Sequence, residues 1–139
     1  MELSSFKKSN ITLECAMEIC RRVVAAAQNK GISIAVSVVD TSGREVAFLR
    51  MDHAANVADE AARRKAKFAM GFSMPTGDTW YQFIKDDPIL MNGVSQLPDF
   101  ILLGGGCPLK ENETIVGAIG VSGGHYKMDE AIISDALSQ

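Results

Sequence analysis

The stretch ISIAVSVVDTSGREVAFLR, residues 32–50, decides the fold class. Ile32, Ile34, Val36 and Val38 alternate with smaller residues, the two-residue period of a half-buried strand. Asp40-Thr41-Ser42-Gly43 breaks that run with turn chemistry, and Arg44 to Arg50 continues from it. A β-hairpin is the economical reading, and it commits the chain to antiparallel pairing.

Upstream of the hairpin, Leu13, Met17, Cys20, Val24 and Ala27, with Ala16 and Val23, gather on one side at about 100° per residue. This predicts an amphipathic helix from Thr12 to about Lys30, stopped by Gly31. Downstream, a second helix is expected from about Asn56 to Phe72. A broken stretch with Pro75, Pro88 and Pro98 follows, leaving room for one short helix near Thr76 to Lys85. Phe100 to Leu103 reads as a short strand entering Gly104-Gly105-Gly106. Thr114 to Val121 reads as another strand entering Ser122-Gly123-Gly124, and a final helix is expected from about Met128 to Leu137. No repeat or low-complexity linker divides the chain, so residues 1–139 are expected to form one domain: an antiparallel sheet covered by helices.

Composition narrows the function. A chain of 139 residues is long enough to bury roughly two-thirds of its unfolded surface, so no metal or disulfide is needed to hold it together. An apolar fraction of 47% and a charged fraction of 22% are ordinary for a globular protein and argue against disorder. The net charge of -3 carries no basic stripe, which argues against nucleic-acid binding. Arg63, Arg64, Lys65 and Lys67 read as a solvated helix face. Cys15, Cys20 and Cys107 cannot all pair within one chain and match no common zinc spacing, so a reducing cytoplasm is the expected setting. Glu14, Glu18, Arg21 and Arg22 interrupt any signal-peptide core after Lys7 and Lys8, and no apolar run approaches the about 20 residues of a membrane span.

Some polar residues break the apolar pattern. In the second helix Val57, Ala58, Ala61, Phe68, Ala69 and Phe72 share one arc, and Lys65 falls near its middle. Its amine must reach solvent along the apolar surface, or meet a carboxylate or a ligand. Asp129 poses the same question in the last helix. It either caps a helix that starts after it, or projects between Ile132, Ile133 and Ala136 if the helix starts earlier. The two would then face one pocket, with Lys65 on an anionic ligand group.

The glycine segments offer bare backbone that a ligand could approach. Gly104-Gly105-Gly106 lacks the spacing of a dinucleotide or phosphate loop. Gly120-Val121-Ser122-Gly123-Gly124 completes the bare GxSxG pattern, but the only nearby base, His125, is three residues from Ser122, so serine catalysis is set aside. His125 and His53 are the only histidines. His125, following the glycines, is the better candidate for a haem or metal ligand.

Taken in order, several motifs resemble the GlcG/HbpS family, which includes the C-terminal domain of PduO-type proteins. They are Val38-Val39-Asp40 with Gly43, Arg50-Met51-Asp52-His53-Ala54, Lys65-Ala66, Gly104-Gly105-Gly106-Cys107-Pro108-Leu109, and Gly117 to Gly124 followed by Asp129. The match extends over nearly the whole chain. It implies a profilin-like, three-layer α/β (α+β) domain, with an antiparallel sheet of about five strands, helices on its faces and homo-oligomeric assembly. Some relatives bind haem, and others are encoded with glycolate, diol or glycerol metabolism. His53 departs from the glycine of many relatives, and His125 from their threonine or other small residue.

The expected function is therefore a non-catalytic binding protein for haem or a related tetrapyrrole, accessory to a metabolic enzyme system. Its candidate ligand-binding residues are Arg50, Lys65, Gly105, Gly106, Ser122, Gly123, His125 and Asp129, with His125 the candidate haem ligand. Two alternatives stay open: a small enzyme acting on a carbonyl or hydroxy-acid substrate through Lys65 and Asp129, and a structural oligomerisation module.

Overall fold

In a computed structural model, which describes residues 1–138, the hairpin forms where its sequence dictates. Strands β1 (Ala35–Val39) and β2 (Glu45–Arg50) pair antiparallel, with Val36 opposite Leu49 and Ser37 opposite Phe48. The turn between them closes on Asp40, whose carboxylate accepts from the Ser42 and Arg44 N–H groups at 2.8 and 3.0 Å. Gly43 takes φ +76°, a conformation that disfavours side-chain-bearing residues.

The remaining elements, in chain order, are α1 (Leu13–Asn29) before the hairpin and α2 (Ala58–Phe72) after it. Then come α3 (Asp78–Ile84), α4 (Pro88–Gly93) with a 3-10 turn at Val94–Gln96, β3 (Gly106–Glu111), β4 (Thr114–Ser122) and α5 (Tyr126–Leu137). The sheet order is β2-β1-β4-β3, with every neighbouring pair antiparallel.

Alternation along the strands produces three layers. One sheet face carries Val36, Val38, Ala47, Leu109, Ile119 and Val121, and packs against Ala16, Cys20, Val23 and Ala27 of α1 and Ile132, Ile133 and Ala136 of α5. The opposite face is lined by small residues: Ala35 meets Ala58 and Ala62, while Val39 and Ala118 meet Ala66 and Ala69 of α2. Gly120 continues this face, and a β-carbon there would collide with the Ala62 carbonyl of α2. Helix and sheet backbones therefore approach more closely than larger side chains would allow. A separate aromatic cluster lies beside these layers, with Phe68 edge-on to Trp80 and Phe100 at centroid distances of 5.1 and 5.2 Å.

Four sequence expectations need correction. The sheet has four strands among the described residues, where about five were expected. Phe100 to Leu103 is not one of them: Phe100 turns into the aromatic cluster, and the Leu102 carbonyl accepts from Gly77 N–H at 2.7 Å. The strand starts instead at Gly106, so the glycine triplet leads into a strand rather than out of one. The proline-interrupted stretch also holds a second helix, because Pro88 occupies the first turn of α4, where no N–H is needed, and Asp87 caps it. In α2, Val57 precedes the helix and is 67% exposed, and Ala62 and Ala66 complete the buried arc around Lys65.

Candidate functional site

The two glycine segments meet around a buried ion pair. Lys65 Nζ donates to Asp129 Oδ2 and to the Val121 carbonyl, each at 2.9 Å, and both charged side chains are 1% exposed. Asp129 Oδ1 accepts from Gly124 N–H at 3.0 Å, and Gly105 O accepts from Val121 N–H at 2.8 Å. This arrangement follows from where α5 begins. Its cap is His125, whose Nδ1 accepts from Lys127 N–H at 3.2 Å, so Asp129 is already inside the helix and points inward between its apolar neighbours.

Glycine is required on both sides of the pair. Gly105 has φ +111°, and a β-carbon there would sit 2.7 Å from the Val121 carbonyl and 3.0 Å from the Lys65 amine. A side chain at Gly106 would meet the backbone carbonyl of Lys65. Burial lowers the Lys65 pKa below the usual lysine value, and the hydrogen bond and charge of Asp129 oppose that shift. On this chain the amine faces the protein's own carboxylate, and the pair ties α2, β4 and α5 together.

Beside the pair lies an open cleft of about 610 Å³, lined by Gly77, Asp78 and Tyr81, by Leu102, Leu103 and Gly104, and by Tyr126, Lys127 and Glu130. A neighbouring depression of about 390 Å³ includes Thr76, Gly105, Gly106, Cys107 and Ile133, and shares Asp78 and Glu130 with the cleft. The Glu130 carboxylate occupies the space a β-carbon on Gly104 would fill, so Gly104 admits this carboxylate to the cleft wall. Two phenols, apolar leucines, two carboxylates and one ammonium can accept a flat organic molecule with polar substituents.

His125 is exposed at the start of α5, its ring 4.3 Å from that of Tyr126. Other sequence-selected residues lie elsewhere. Arg50 and Ser122 flank Ala35 on opposite sides in the sheet. Arg50 lines a depression of about 410 Å³ with Gln28, Ser33, Met51 and His53, sharing no residue with the cleft. Gly123 packs against the Ser33 carbonyl and Ile34. The structure thus brings Lys65, Asp129, Gly105 and Gly106 together, with the ion pair buried and only the two glycines lining the depression, while His125 lines neither the depression nor the cleft and Arg50 lies apart.

Sequence reasoning missed Gly77, Tyr81, Leu103, Tyr126 and Glu130. The four-residue spacing of Tyr126 and Glu130 on one helix face was the available signal. Among the described residues there is no cluster of three or more metal-binding side chains, and no helix is long and apolar enough to cross a membrane.

An antiparallel sheet between helical layers, with a mixed aromatic and acidic cleft at one end, defines the class. Residues 11–138 match the family described as "Haem degrading protein HbpS-like", and the chain belongs to that family. The crystal structure of Klebsiella pneumoniae protein ORFY is similar over 99% of this chain and 95% of that one, with 27% identity and a TM-score of 0.87. A PduOC:heme complex is similar over 93% of this chain and 94% of that one, with 27% identity and a TM-score of 0.79. The corrinoid adenosyltransferase PduO of Salmonella typhimurium is 29% identical over 122 residues, 87% of this chain and 36% of that protein. The chain thus spans about a third of PduO's length.

Proposed function

We propose that this protein is a non-catalytic, cytoplasmic, homo-oligomeric binding protein for haem or a related tetrapyrrole, accessory to an enzyme system of glycolate, diol or glycerol metabolism. The observation that carries the reading is the cleft beside Gly104. Tyr81, Tyr126, Leu102 and Leu103 offer apolar walls for a macrocycle, and Lys127 offers a cation for a ligand carboxylate. Membership of the HbpS-like family and likeness to a protein solved with heme support it.

The cleft's lining fits such a group in its apolar and cationic character, whereas His125 precedes Tyr126 outside that lining and would reach an iron only from the cleft's edge. A neutral imidazole has only one unprotonated nitrogen, and in His125 that nitrogen accepts the Lys127 N–H. Iron ligation through either ring nitrogen therefore exchanges the helix cap for a metal bond. When bound, haem would supply its iron as the electrophilic and redox centre. The protein's own residues would orient the macrocycle and shield one face of it from water. Lys65 and Asp129 act in this reading as a positioning pair, holding Gly105 and α5 so that the cleft keeps its shape.

Haemin titration tests the proposal. Saturable Soret absorption at one haem per chain is expected, with the band shifted or weakened in His125→Ala. Absence of stoichiometric binding to the intact protein overturns the haem reading, and an unchanged spectrum in His125→Ala overturns that ligand.

A further inference from the structure

We infer that Asp78 and Glu130 set the ligand class of the cleft: tetrapyrroles that carry their carboxylates along one edge, with the uncharged opposite edge turned toward these two residues. The inference rests on the tetrapyrrole reading above and assigns the specificity of that same site. It starts from the Glu130 carboxylate, which fills the space over Gly104 and would lie 2.8 Å from a β-carbon on Gly77. Two bare glycine backbones therefore seat this carboxylate against the cleft wall. Asp78 follows Gly77 directly, at the start of α3. Both acids line the cleft and the neighbouring depression, so they stand where the two recesses meet.

The charges here are few and unequally placed. Among the described residues Lys127 is the one basic group lining the cleft, and the depression has none. Lys127 precedes Glu130 by three residues on α5, about 4.5 Å along the helix axis. Even so, among the described residues neither Glu130 nor Asp78 forms an ion pair. The Asp78 carboxylate accepts from the exposed Gln82 amide at 3.4 Å, a neutral partner that leaves its charge in place. Burial lowers the Lys65 pKa, and Glu130 as well as Asp129 opposes that shift. The Lys65 amine is nevertheless closed to a ligand, because it donates to Asp129 and Val121 and its side chain is 1% exposed.

A ligand carboxylate is therefore attracted at Lys127 and repelled where Asp78 and Glu130 stand. Haem satisfies both conditions. Its two propionates leave one edge of the ring, where Lys127 can meet one of them, and its vinyl groups occupy the opposite edge, which brings no charge against the two acids. A ring carboxylated on both edges has no orientation that avoids them, and discrimination follows from that repulsion rather than from added attraction.

Titrations with haemin and with ferric coproporphyrin III provide the test. The two share ring and iron and differ along one edge, where coproporphyrin III carries two further propionates in place of the vinyl groups. The intact chain is expected to bind haemin the more tightly. Asp78→Asn/Glu130→Gln is expected to narrow the ratio of the two affinities about tenfold, by tightening ferric coproporphyrin III, with an unchanged circular dichroism spectrum. Glu130→Gln alone is expected to give a smaller change of the same sign, and Lys127→Gln to weaken both ligands. If the intact chain binds the two equally, or if the charge-neutral variants leave their ratio unmoved, the sorting by charge is overturned and the haem reading stands. No haemin binding by the intact chain overturns both together.

Discussion

Burying Lys65 and Asp129 together makes each depend on the other. Lys65→Met leaves a carboxylate inside the protein without its cation, and is expected to destabilise the fold by about 3–5 kcal/mol. Lys65→Met/Asp129→Leu removes both charges and should recover most of that loss. Urea denaturation of Lys65→Met, Asp129→Leu and the double variant decides the matter, since a double-variant loss equal to the sum of the two single losses would show that the charges are not coupled. Cys20 gives a second prediction. Burial, aided by the Glu45 carboxylate, pushes its thiol from 9.0 up to about 11. Between those values the unfolded chain has lost the thiol proton and the folded chain keeps it, so stability falls as pH rises through the window. The contribution, about 2–3 kcal/mol, is complete below pH 9, and Cys20→Ala should flatten the decline in thermal midpoint above it. Lys65 was legible in the sequence as a charge within an apolar arc. Its partner was legible only as one of two options for Asp129, because choosing between them required knowing that His125 caps the helix.

Helix boundaries and strand identities differ in how well local sequence encodes them. The Thr12 cap of α1 is of the legible kind, its hydroxyl accepting from Cys15 N–H at 3.1 Å. Thr12→Ala is expected to destabilise the protein by about 1 kcal/mol, read from the shift in unfolding midpoint without loss of the native spectrum. The third strand is of the other kind. Gly106 and Pro108 are poor strand formers, whereas the Phe100 to Leu103 run has strand-like composition. Tertiary packing reverses that order, because Phe100 is drawn to Phe68 and Gly106 must lie against the Lys65 carbonyl. The α4 helix did have a local signal in Asp87-Pro88, a cap followed by a first-turn proline, which reads as a break if the proline is considered alone.

At the scale of the whole molecule, an antiparallel sheet covered by helices followed from the hairpin and the helical periods, and its three layers from the family resemblance, but the cleft followed from neither. Its walls come from the start of α3, the loop before β3 and the first turn of α5, segments whose proximity depends on the complete sheet order. Glycines marked the neighbourhood without revealing that Glu130 fills the space over Gly104. The same sheet order has another consequence, at its rim. Among the described residues β2 and β3 each pair on one side only. Along β3, Pro108 removes a backbone donor, and Lys110 and Glu111 place charges on the strand's exposed end. An incoming strand would find an incomplete ladder there and would have to desolvate both charges, so fibre growth by strand addition is opposed at this rim.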